Sequence, residues 1–308
     1  MRPSKLAILL SRIFPSPFRQ LISFSARGYL PGAIRRHWIS MHLACELFKN
    51  DGLPIYRSPY KLYVPPDLIH MYIHHYGFLD YEPLTRRVFL DSLKPGFVVL
   101  DIGAHFGYYA LLGAGTVGSM GKVHAVEAAP ENLAVLEHNV RVNKLENVEI
   151  HRFAAGSTRG TQVLNVSALG VTAFDPSGPQ GSQARIDTKV EVPIVPLDKL
   201  IQGPVHLAKI DVDGSELTVL EGMKRILSEN KEMKLLVEWA PSVYCSDRNP
   251  LDIPTWLEGA GFNQIDVLAD WREESFPIRQ ATEMLDQKKV ARNQAFMLFA
   301  KRIGVSSH

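Results

Sequence analysis

Five carboxylate side chains each close, or directly follow, a short apolar run of the chain. They are Asp101, Glu127, Asp211, Asp213 and Glu238. Apolar runs of this length are typical of buried parallel strands, and ligands of open α/β sheets bind beyond the carboxyl ends of such strands. Because an unpaired buried carboxylate is costly, acids gathered at one sheet edge indicate a ligand with cationic and hydroxyl groups. A helix cap or a salt bridge is the alternative for any single one of them.

A glycine turn follows the first of these strands. The run Val98-Val99-Leu100 leads into a turn bracketed by Gly103 and Gly107, where a backbone without Cβ can approach a ligand closely. The helix predicted over 108–116 begins at that turn and points its N-terminus at the ligand. The spacing differs from the G-x-G-x-x-G fingerprint of dinucleotide-binding proteins. Asp101 would repel a pyrophosphate, and it suits an ammonium group such as the methionine end of S-adenosylmethionine.

The next two strands add residues for the rest of a nucleoside. Glu127 closes a strand predicted over 122–127 and falls 26 positions after Asp101. Open α/β sheets place an acidic side chain at about this point to accept hydrogen bonds from the two ribose hydroxyls. Ala154 and Ala155 directly follow the third strand, predicted over 147–153, and their small side chains suit an adenine lying flat against the backbone. A plain strand-to-loop turn explains them equally well.

Two motifs resemble a known family. Asp101-Ile-Gly-Ala-His-Phe-Gly107 resembles the first motif of class I S-adenosylmethionine-dependent methyltransferases, and its D-x-G-A-x-x-G form is most similar to the FkbM family. Lys209-Ile-Asp-Val-Asp-Gly214 resembles that family's K-I-D-V-E-G motif, with Asp213 in place of the usual glutamate. This replacement shortens the reach of the carboxylate by one methylene. The resemblance covers about Tyr81 to Lys301.

The resemblance implies a fold and a reaction. The fold is α/β, a Rossmann-like class I methyltransferase with a mainly parallel seven-stranded sheet, helices on both faces and an antiparallel last strand. The alternation of predicted strands and helices agrees with it. The cofactor is S-adenosyl-L-methionine, and the reaction is O-methylation of a hydroxyl of a sugar, glycolipid, polyketide or related metabolite. The alternative is a non-catalytic S-adenosylmethionine-binding domain, tethered to a membrane or protein partner through its basic N-terminus.

The resemblance also assigns candidate site residues. The cofactor-binding candidates are Glu82, Asp101, Gly103, Ala104, His105, Gly107, Glu127, Ala154, Ala155 and Asp211. Asp211 and Asp213 are the first candidates for acceptor contact, with Glu238 across the cleft, since an aliphatic hydroxyl needs a base or a metal to lose its proton. Carboxylates at adjacent strand ends also suit Mg²⁺, so a magnesium site is a further hypothesis without assigned ligands. His105 stands where the family usually has asparagine, and either stabilises the glycine turn or reaches the reacting centre.

Length, charge and cysteine content limit the domain organisation, the partners and the location of the protein. The 308 residues with a formal charge of +2 suffice for one α/β domain, predicted over 91–308, and an appendage over 1–90. The charge is too small to imply a nucleic-acid partner. The sequence has no N-P-P-Y or D-P-P-Y tetrapeptide, which argues against N-methylation of nucleic-acid bases. Cys45 and Cys245 form neither a zinc motif nor a disulfide framework. These features predict a cytoplasmic protein, since the apolar run 6–10 is too short to span a membrane.

The first 60 residues are distinctly basic. They carry nine Lys/Arg against two acids, a net +7 that leaves −5 for the rest of the chain. One interpretation is a helical appendage, with a helix over 33–48, that packs on the catalytic domain or across a homo-oligomer. The other is a basic amphipathic segment that rests peripherally on an anionic membrane. Aromatic and histidine residues over 61–95 either line a substrate entrance or form a half-buried helix.

Overall fold

A computed structural model gives the fold, and it describes residues 52–55, 58–65, 82–167, 172–173, 186–240, 249, 251–270, 274–280, 283 and 295–304. The helix predicted over 33–48, most of the predicted appendage and most of the aromatic and histidine cluster lie outside these residues. So does much of the segment 157–187, which the sequence predicts to be irregular.

Regular elements alternate along the described residues. The strands are β1 (Leu53–Pro54), β2 (Lys61–Leu62), β3 (Val98–Ile102), β4 (Lys122–Glu127), β5 (Val148–Arg152), β6 (Ala154–Ala155), β7 (Gly160–Ser167), β8 (Thr172–Ala173), β9 (Ile186–Val195), β10 (Leu207–Ile210), β11 (Lys234–Trp239), β12 (Gln264–Ala269), β13 (Glu274–Pro277) and β14 (Phe296–Lys301). The helices are α1 (Pro83–Asp91), α2 (Tyr108–Val117), α3 (Pro130–Val142), α4 (Glu216–Glu221), α5 (Lys224–Glu229) and α6 (Asp252–Gly259), with a 3-10 turn at Leu197–Lys199.

The main sheet has eight strands in the order β13-β12-β14-β11-β10-β3-β4-β5. The contacts among β11, β10, β3, β4 and β5 are all parallel. The last strand, β14, inserts antiparallel between β11 and β12, as the resemblance predicts. The predicted count of seven is one too few for the described residues, because β13 adds antiparallel to the free edge of β12. This is the architecture that the resemblance implies, with one added edge strand.

A second sheet occupies part of the segment that the sequence predicts to be irregular. Strand β7 pairs antiparallel with β9 along almost its whole length, and β6 and β8 complete a four-stranded sheet. The interpretation of the whole segment 157–187 as a loop is therefore wrong for 160–167, 172–173 and 186–187. Leu164 and Val166 of β7 are buried against Val192 of β9, and this cross-strand contact is long-range information that local composition does not carry.

The sequence after Gly214 predicts one helix over 215–227, and the structure has two short helices there, α4 and α5. The break falls at Gly222, whose carbonyl accepts the backbone N–H of Asp198 at 3.0 Å. A Cβ at Gly222 would lie 2.0 Å from the carbonyl oxygen of Gly156, so only glycine allows this contact. The close approach of 156 and 198 to this point interrupts the helix, and no local propensity signals it.

Apolar cores lie on both faces of the main sheet. On one face, Phe89 of α1 and Leu111 of α2 are fully buried with Val99 of β3. On the other face, Leu220 of α4 and Leu257 of α6 are fully buried in a second core. Both faces of the central strands are therefore covered, which explains why those strands are apolar runs rather than alternating patterns.

The N-terminal pieces that the structure describes share the first of these cores. Ile55, Leu62 and Val64 are buried there, and so is Leu84 of α1. The side chain of Asn139 on α3 accepts the N–H of Tyr63 at 2.7 Å and donates to its carbonyl at 2.9 Å. These contacts attach 53–55, 60–64 and α1 to the sheet that carries the site, on the N-terminal side of the boundary predicted at residue 90. Within the described residues, no helix has the length and apolarity to cross a membrane.

Candidate functional site

The five candidate acids lie along one edge of the main sheet. Asp101 is on β3, Glu127 ends β4, Asp211 and Asp213 follow β10, and Glu238 is on β11. The strands β11, β10, β3 and β4 are direct neighbours, and each contact between them is parallel. All five residues therefore stand at the carboxyl end of the sheet, where open α/β folds bind their ligands.

The backbone N–H groups of the glycine turn donate hydrogen bonds to acceptors within the protein. The amides of Gly103 and Ala104 both donate to the carbonyl of Val126, and the amide of Gly107 donates to that of Ala104. The amide of His105 donates to Glu127 at 2.8 Å. A pyrophosphate site needs free N–H donors at such a turn, and these four amides are all engaged. The arrangement therefore fits a cationic and hydroxylic ligand better than a dinucleotide.

Gly103 brings the turn against the end of the neighbouring strand. It adopts φ +80°, and a Cβ there would lie 1.8 Å from the backbone oxygen of Asp211. The amide of Asp211 in turn donates to the carbonyl of Ile102 at 3.0 Å. The ends of β10 and β3 therefore meet closely, and the backbone of Asp211 lies against the glycine turn.

Glu127 connects the glycine turn to the start of α3. Its Oε1 accepts the amides of Ala128 and Ala129 at 3.0 and 2.8 Å, and its Oε2 accepts the amide of His105 at 2.8 Å. Burial raises the pKa of Glu127, and these three N–H donors oppose that rise. Oε2 accepts one of the two hydrogen bonds that a carboxylate oxygen can take, so it retains the capacity that a ribose hydroxyl needs.

A buried lysine sits at the centre of the acids. Lys209 is 3% exposed, and its Nζ lies 2.6 Å from Oδ2 of Asp211 and 4.7 Å from the ring centroid of Tyr109. Burial by itself would lower the pKa of Lys209, but the charges of Asp211, Glu82 and Asp101 outweigh it and raise that pKa above its ordinary value. The ammonium therefore stays charged and holds the Asp211 carboxylate, whose side chain is 25% exposed.

Asp101 lies directly beside Lys209, its partner in the register of β3 and β10. The residue is 1% exposed, and its Oδ2 has no hydrogen-bond partner among the described residues. Burial raises the pKa of Asp101 to about 6, and Lys209 opposes that rise. An acid left with an unused oxygen beneath the glycine turn adds negative potential where the sequence predicts an ammonium ligand.

Glu82 reaches the same cluster from the residue before α1. It adopts φ 43°, and its Oε2 accepts the hydroxyl hydrogen of Tyr109 at 2.7 Å. Burial, and next the charge of Glu82, raises the pKa of Tyr109 well above its ordinary value, so the phenol stays a donor. Glu82 was a candidate because of the resemblance alone, and the fold brings it to Lys209 and Asp101.

The turn after β10 is held by a buried acid. Oε1 of Glu216, on α4, accepts the amides of Val212 and Gly214, both at 3.1 Å. Burial raises the pKa of Glu216 to about 7, while those N–H donors oppose the rise. Asp213 lies between the two amides with φ 50°, a conformation that few residues with a Cβ adopt. Glu216 thus stabilises the turn that carries two of the candidate acids.

The remaining candidates occupy the rim of the same edge. Ala154 and Ala155 form β6, are 8% and 7% exposed, and pair with β9 of the second sheet. The ring of His105 stacks on Phe106 with 4.0 Å between centroids. Glu238 is half-buried on β11, opposite Met297 of β14.

No three of the strand-end acids, all of which the structure describes, bring carboxylate oxygens within 4.8 Å of one another. Among the described residues, only one group places three metal-ligating side chains within 4.8 Å of one another, and it consists of His124, Glu149 and His151 on β4 and β5. Asp211 instead pairs with Lys209, which occupies the place of a cation. The magnesium hypothesis therefore gains no support from this arrangement.

The sequence interpretation did not assign Lys209, Tyr109 or Glu216 to the site. Lys209 carried a usable signal, because a lysine in the apolar run Leu207–Ile210 must be buried and a buried ammonium needs counter-charges. Tyr109 and Glu216 carried none, since each is an ordinary residue of a helix first turn. Only the packing of α2 and α4 on the sheet brings them to the acids.

Comparison with known protein families gives a match. The chain matches the Methyltransferase FkbM domain over residues 101–263, which is more than half of its length. This match includes both glycine-containing motifs and the acids that end β3, β4, β10 and β11.

Several solved structures are similar at low identity. The methyltransferase FkbM from Methylobacillus flagellatus KT is 16% identical with a TM-score of 0.42, over 76% of this chain and 53% of that one. This chain thus spans about half the length of that protein. A putative rRNA-methylase from Clostridium thermocellum is 12% identical over 73% and 96% of the chains, with a TM-score of 0.43. A putative methyltransferase from Streptococcus mutans, solved with S-adenosylhomocysteine, is 11% identical over 71% and 96%, with a TM-score of 0.39.

Proposed function

This chain belongs to the FkbM methyltransferase family, and from that premise we propose that its S-adenosylmethionine-dependent domain methylates a hydroxyl group, with Asp211 as the residue that engages the acceptor. The acceptor class is a sugar, glycolipid, polyketide or related metabolite. One observation carries the proposal: the Lys209 ammonium lies 2.6 Å from the Asp211 carboxylate, and the backbone of Asp211 lies directly against the glycine turn. In this position the Asp211 carboxylate would lie between a cofactor bound at the turn and an acceptor that enters from the solvent-exposed edge of the sheet.

The residues around the turn fit the proposed cofactor. Asp101 supplies negative potential for an ammonium group, and Glu127 has acceptor capacity left for a hydroxyl pair. Gly103 and Gly107 both adopt positive φ, which lets the backbone follow a ligand closely. When bound, S-adenosylmethionine supplies an electrophilic methyl group on a sulfonium. The residues of this chain position the acceptor hydroxyl and accept its proton.

Asp211 is suited to the second task. An aliphatic hydroxyl is a poor nucleophile at neutral pH, and a carboxylate within hydrogen-bond reach orients it and accepts its proton. Lys209 fixes Asp211 from below, so the orientation of the carboxylate does not depend on the acceptor. Asp213 and Glu238, at the same edge, complete a set of acceptors for further hydroxyls of a polyhydroxylated substrate. The acid-rich edge is what favours hydroxylic acceptors over the phosphates of nucleic acids.

The Asp211→Asn variant tests this assignment. The change keeps the size of the side chain and removes the proton acceptor, so turnover should fall by at least about 100-fold while S-adenosylmethionine still binds. Release of S-adenosylhomocysteine with a panel of glycans, glycolipids and macrolides measures turnover, and calorimetry measures cofactor binding. Asp91→Asn is the matched control, since Asp91 is an exposed residue at the end of α1.

Turnover close to that of the parent in Asp211→Asn would overturn the role of Asp211. Methyl groups found on nitrogen or carbon of the product would overturn O-methylation. Cofactor binding with no S-adenosylhomocysteine release from any acceptor would favour the non-catalytic binding domain instead. Contact of residues 1–60 with a membrane or a second copy of the chain is a separate proposal, which rests on the charge of that segment alone.

A further inference from the structure

Two histidines and a glutamate converge on one face of the main sheet, away from the strand-end acids. His124 of β4 lies opposite Glu149 of β5 in the parallel register, so both side chains project from the same face. His151 lies two residues further along β5 and projects from that face as well. β5 is the edge strand of the sheet, and the carboxylate of Glu149 is 46% exposed.

The distances among their ligand atoms match those around a bound metal ion. Nδ1 of His124 lies 3.0 Å from Nε2 of His151. The Glu149 oxygens lie 3.6 Å from the first nitrogen and 3.7 Å from the second. A tetrahedral ion with bonds of about 2.0–2.1 Å separates its ligand atoms by about 3.4 Å. The observed separations bracket that value, so one ion can reach all three side chains with little movement.

The two imidazoles are in the protonation state that binds metals. Burial, and next the charge of His151, lowers the pKa of His124 to about 4. Burial also lowers the pKa of His151, with Glu149 opposing. Both rings are therefore neutral at pH 7, and neutral imidazole is the ligating form. Without a metal, a single N–H···N hydrogen bond joins the two rings. When an ion binds, the donor ring carries its proton on its other nitrogen, so that both rings stay neutral and both facing nitrogens can ligate.

One neighbouring charge competes with a cation. Nζ of Lys122 lies 2.5 Å from Oε2 of Glu149, on the same face of the sheet. The Lys122 side chain is 48% exposed, so it can turn into solvent when Glu149 binds a metal. This competition lowers the affinity of the site, and it provides a way to test the geometry by removing the lysine.

We propose that His124, Glu149 and His151 form a binding site for a divalent transition metal ion of the zinc class. Two histidines and one carboxylate are a ligand set that zinc uses in proteins, and a fourth position faces solvent next to Glu149. The ion joins the edge strand β5 to β4. His124 precedes Glu127 by three residues, about 10 Å along the strand, so the ion stabilises the strand that ends in Glu127 without touching the proposed cofactor site.

Calorimetric titration of the metal-depleted full-length protein with Zn²⁺ tests the site. The parent protein should bind one equivalent of Zn²⁺. The His151→Gln and Glu149→Gln variants should bind none, or bind it with an affinity lower by more than about 100-fold. Lys122→Met should bind that equivalent more tightly than the parent protein. His138→Gln is the matched control, because His138 lies on α3 outside the cluster, and it should bind as the parent does.

Two further measurements test the coordination of the bound ion and its effect on stability. Co²⁺ bound in place of Zn²⁺ should give the strong visible absorption of a four-coordinate site, and that absorption should disappear in His151→Gln. Zn²⁺ should raise the melting temperature of the parent protein and of Lys122→Met. Both proteins keep the two buried histidine rings, so this measurement does not depend on a substitution in the cluster. Equal stoichiometry and affinity in the parent, Glu149→Gln and His151→Gln would overturn the proposal, and so would an unchanged affinity in Lys122→Met.

Discussion

Lys209→Met is the substitution that most directly tests the electrostatics of the site. It replaces the buried ammonium with an apolar chain of similar length and leaves Asp211, Asp101 and Glu82 without their shared cation. Removing one partner of a buried ion pair costs about 3–5 kcal/mol. Because the Asp211 side chain is 25% exposed and regains some solvation, we expect the lower end, about 3 kcal/mol of unfolding free energy near pH 8.

The loss should depend on pH through Asp101. Folding raises the pKa of Asp101 from 3.8 to about 6, so its contribution to stability is complete below pH 3.8 and is lost as pH rises through about 6. Lys209 is the main group that opposes this rise, and its removal moves the window to higher pH. For each unit by which the pKa of Asp101 rises in the variant, protonation of Asp101 at low pH recovers about 1.4 kcal/mol of unfolding free energy. The variant should therefore lose less stability near pH 5 than near pH 8.

Urea denaturation at these two pH values, followed by circular dichroism, measures the effect. Lys231→Met is the control, since Lys231 is exposed and should change stability by less than about 0.5 kcal/mol. Adding Asp211→Asn to Lys209→Met removes one uncompensated charge and should recover part of the loss. An equal loss at both pH values, together with no recovery in the double variant, would refute the proposed charge balance.

Two other substitutions test the backbone contacts that position the site. Gly103→Ala places a Cβ 1.8 Å from the Asp211 oxygen and should abolish S-adenosylmethionine binding in calorimetry, whereas Gly118→Ala, with positive φ but open space, should retain it. Asp270→Ala removes the carboxylate that accepts the amides of Leu84 and Thr85 at 2.8 and 3.1 Å, at the start of the helix that follows Glu82. It should cost about 1–2 kcal/mol in thermal unfolding, and an unchanged melting temperature would show that α1 does not need this cap.

The comparison of sequence with structure separates local from long-range information. Strand β4 begins and ends at the predicted residues, and α2 differs by one, because apolar run length and turn glycines are local signals. The strand β7 and the break at Gly222 were missed. Both depend on a partner distant in the chain: β9 for the strand, and Gly156 with Asp198 for the break.

The sequence by itself determined the family and the acids at the strand ends, because both are written in short motifs whose residues are consecutive. It also determined that these strands are parallel and share one edge, which follows from the alternation of strands and helices. Only the tertiary structure decided which charges neutralise which. The placement of Lys209 beside Asp101, the contact of Tyr109 with Glu82 and the contact of His124 with His151 each join residues of different elements. Such contacts depend on packing and register, which fix distances that no spacing along the chain contains.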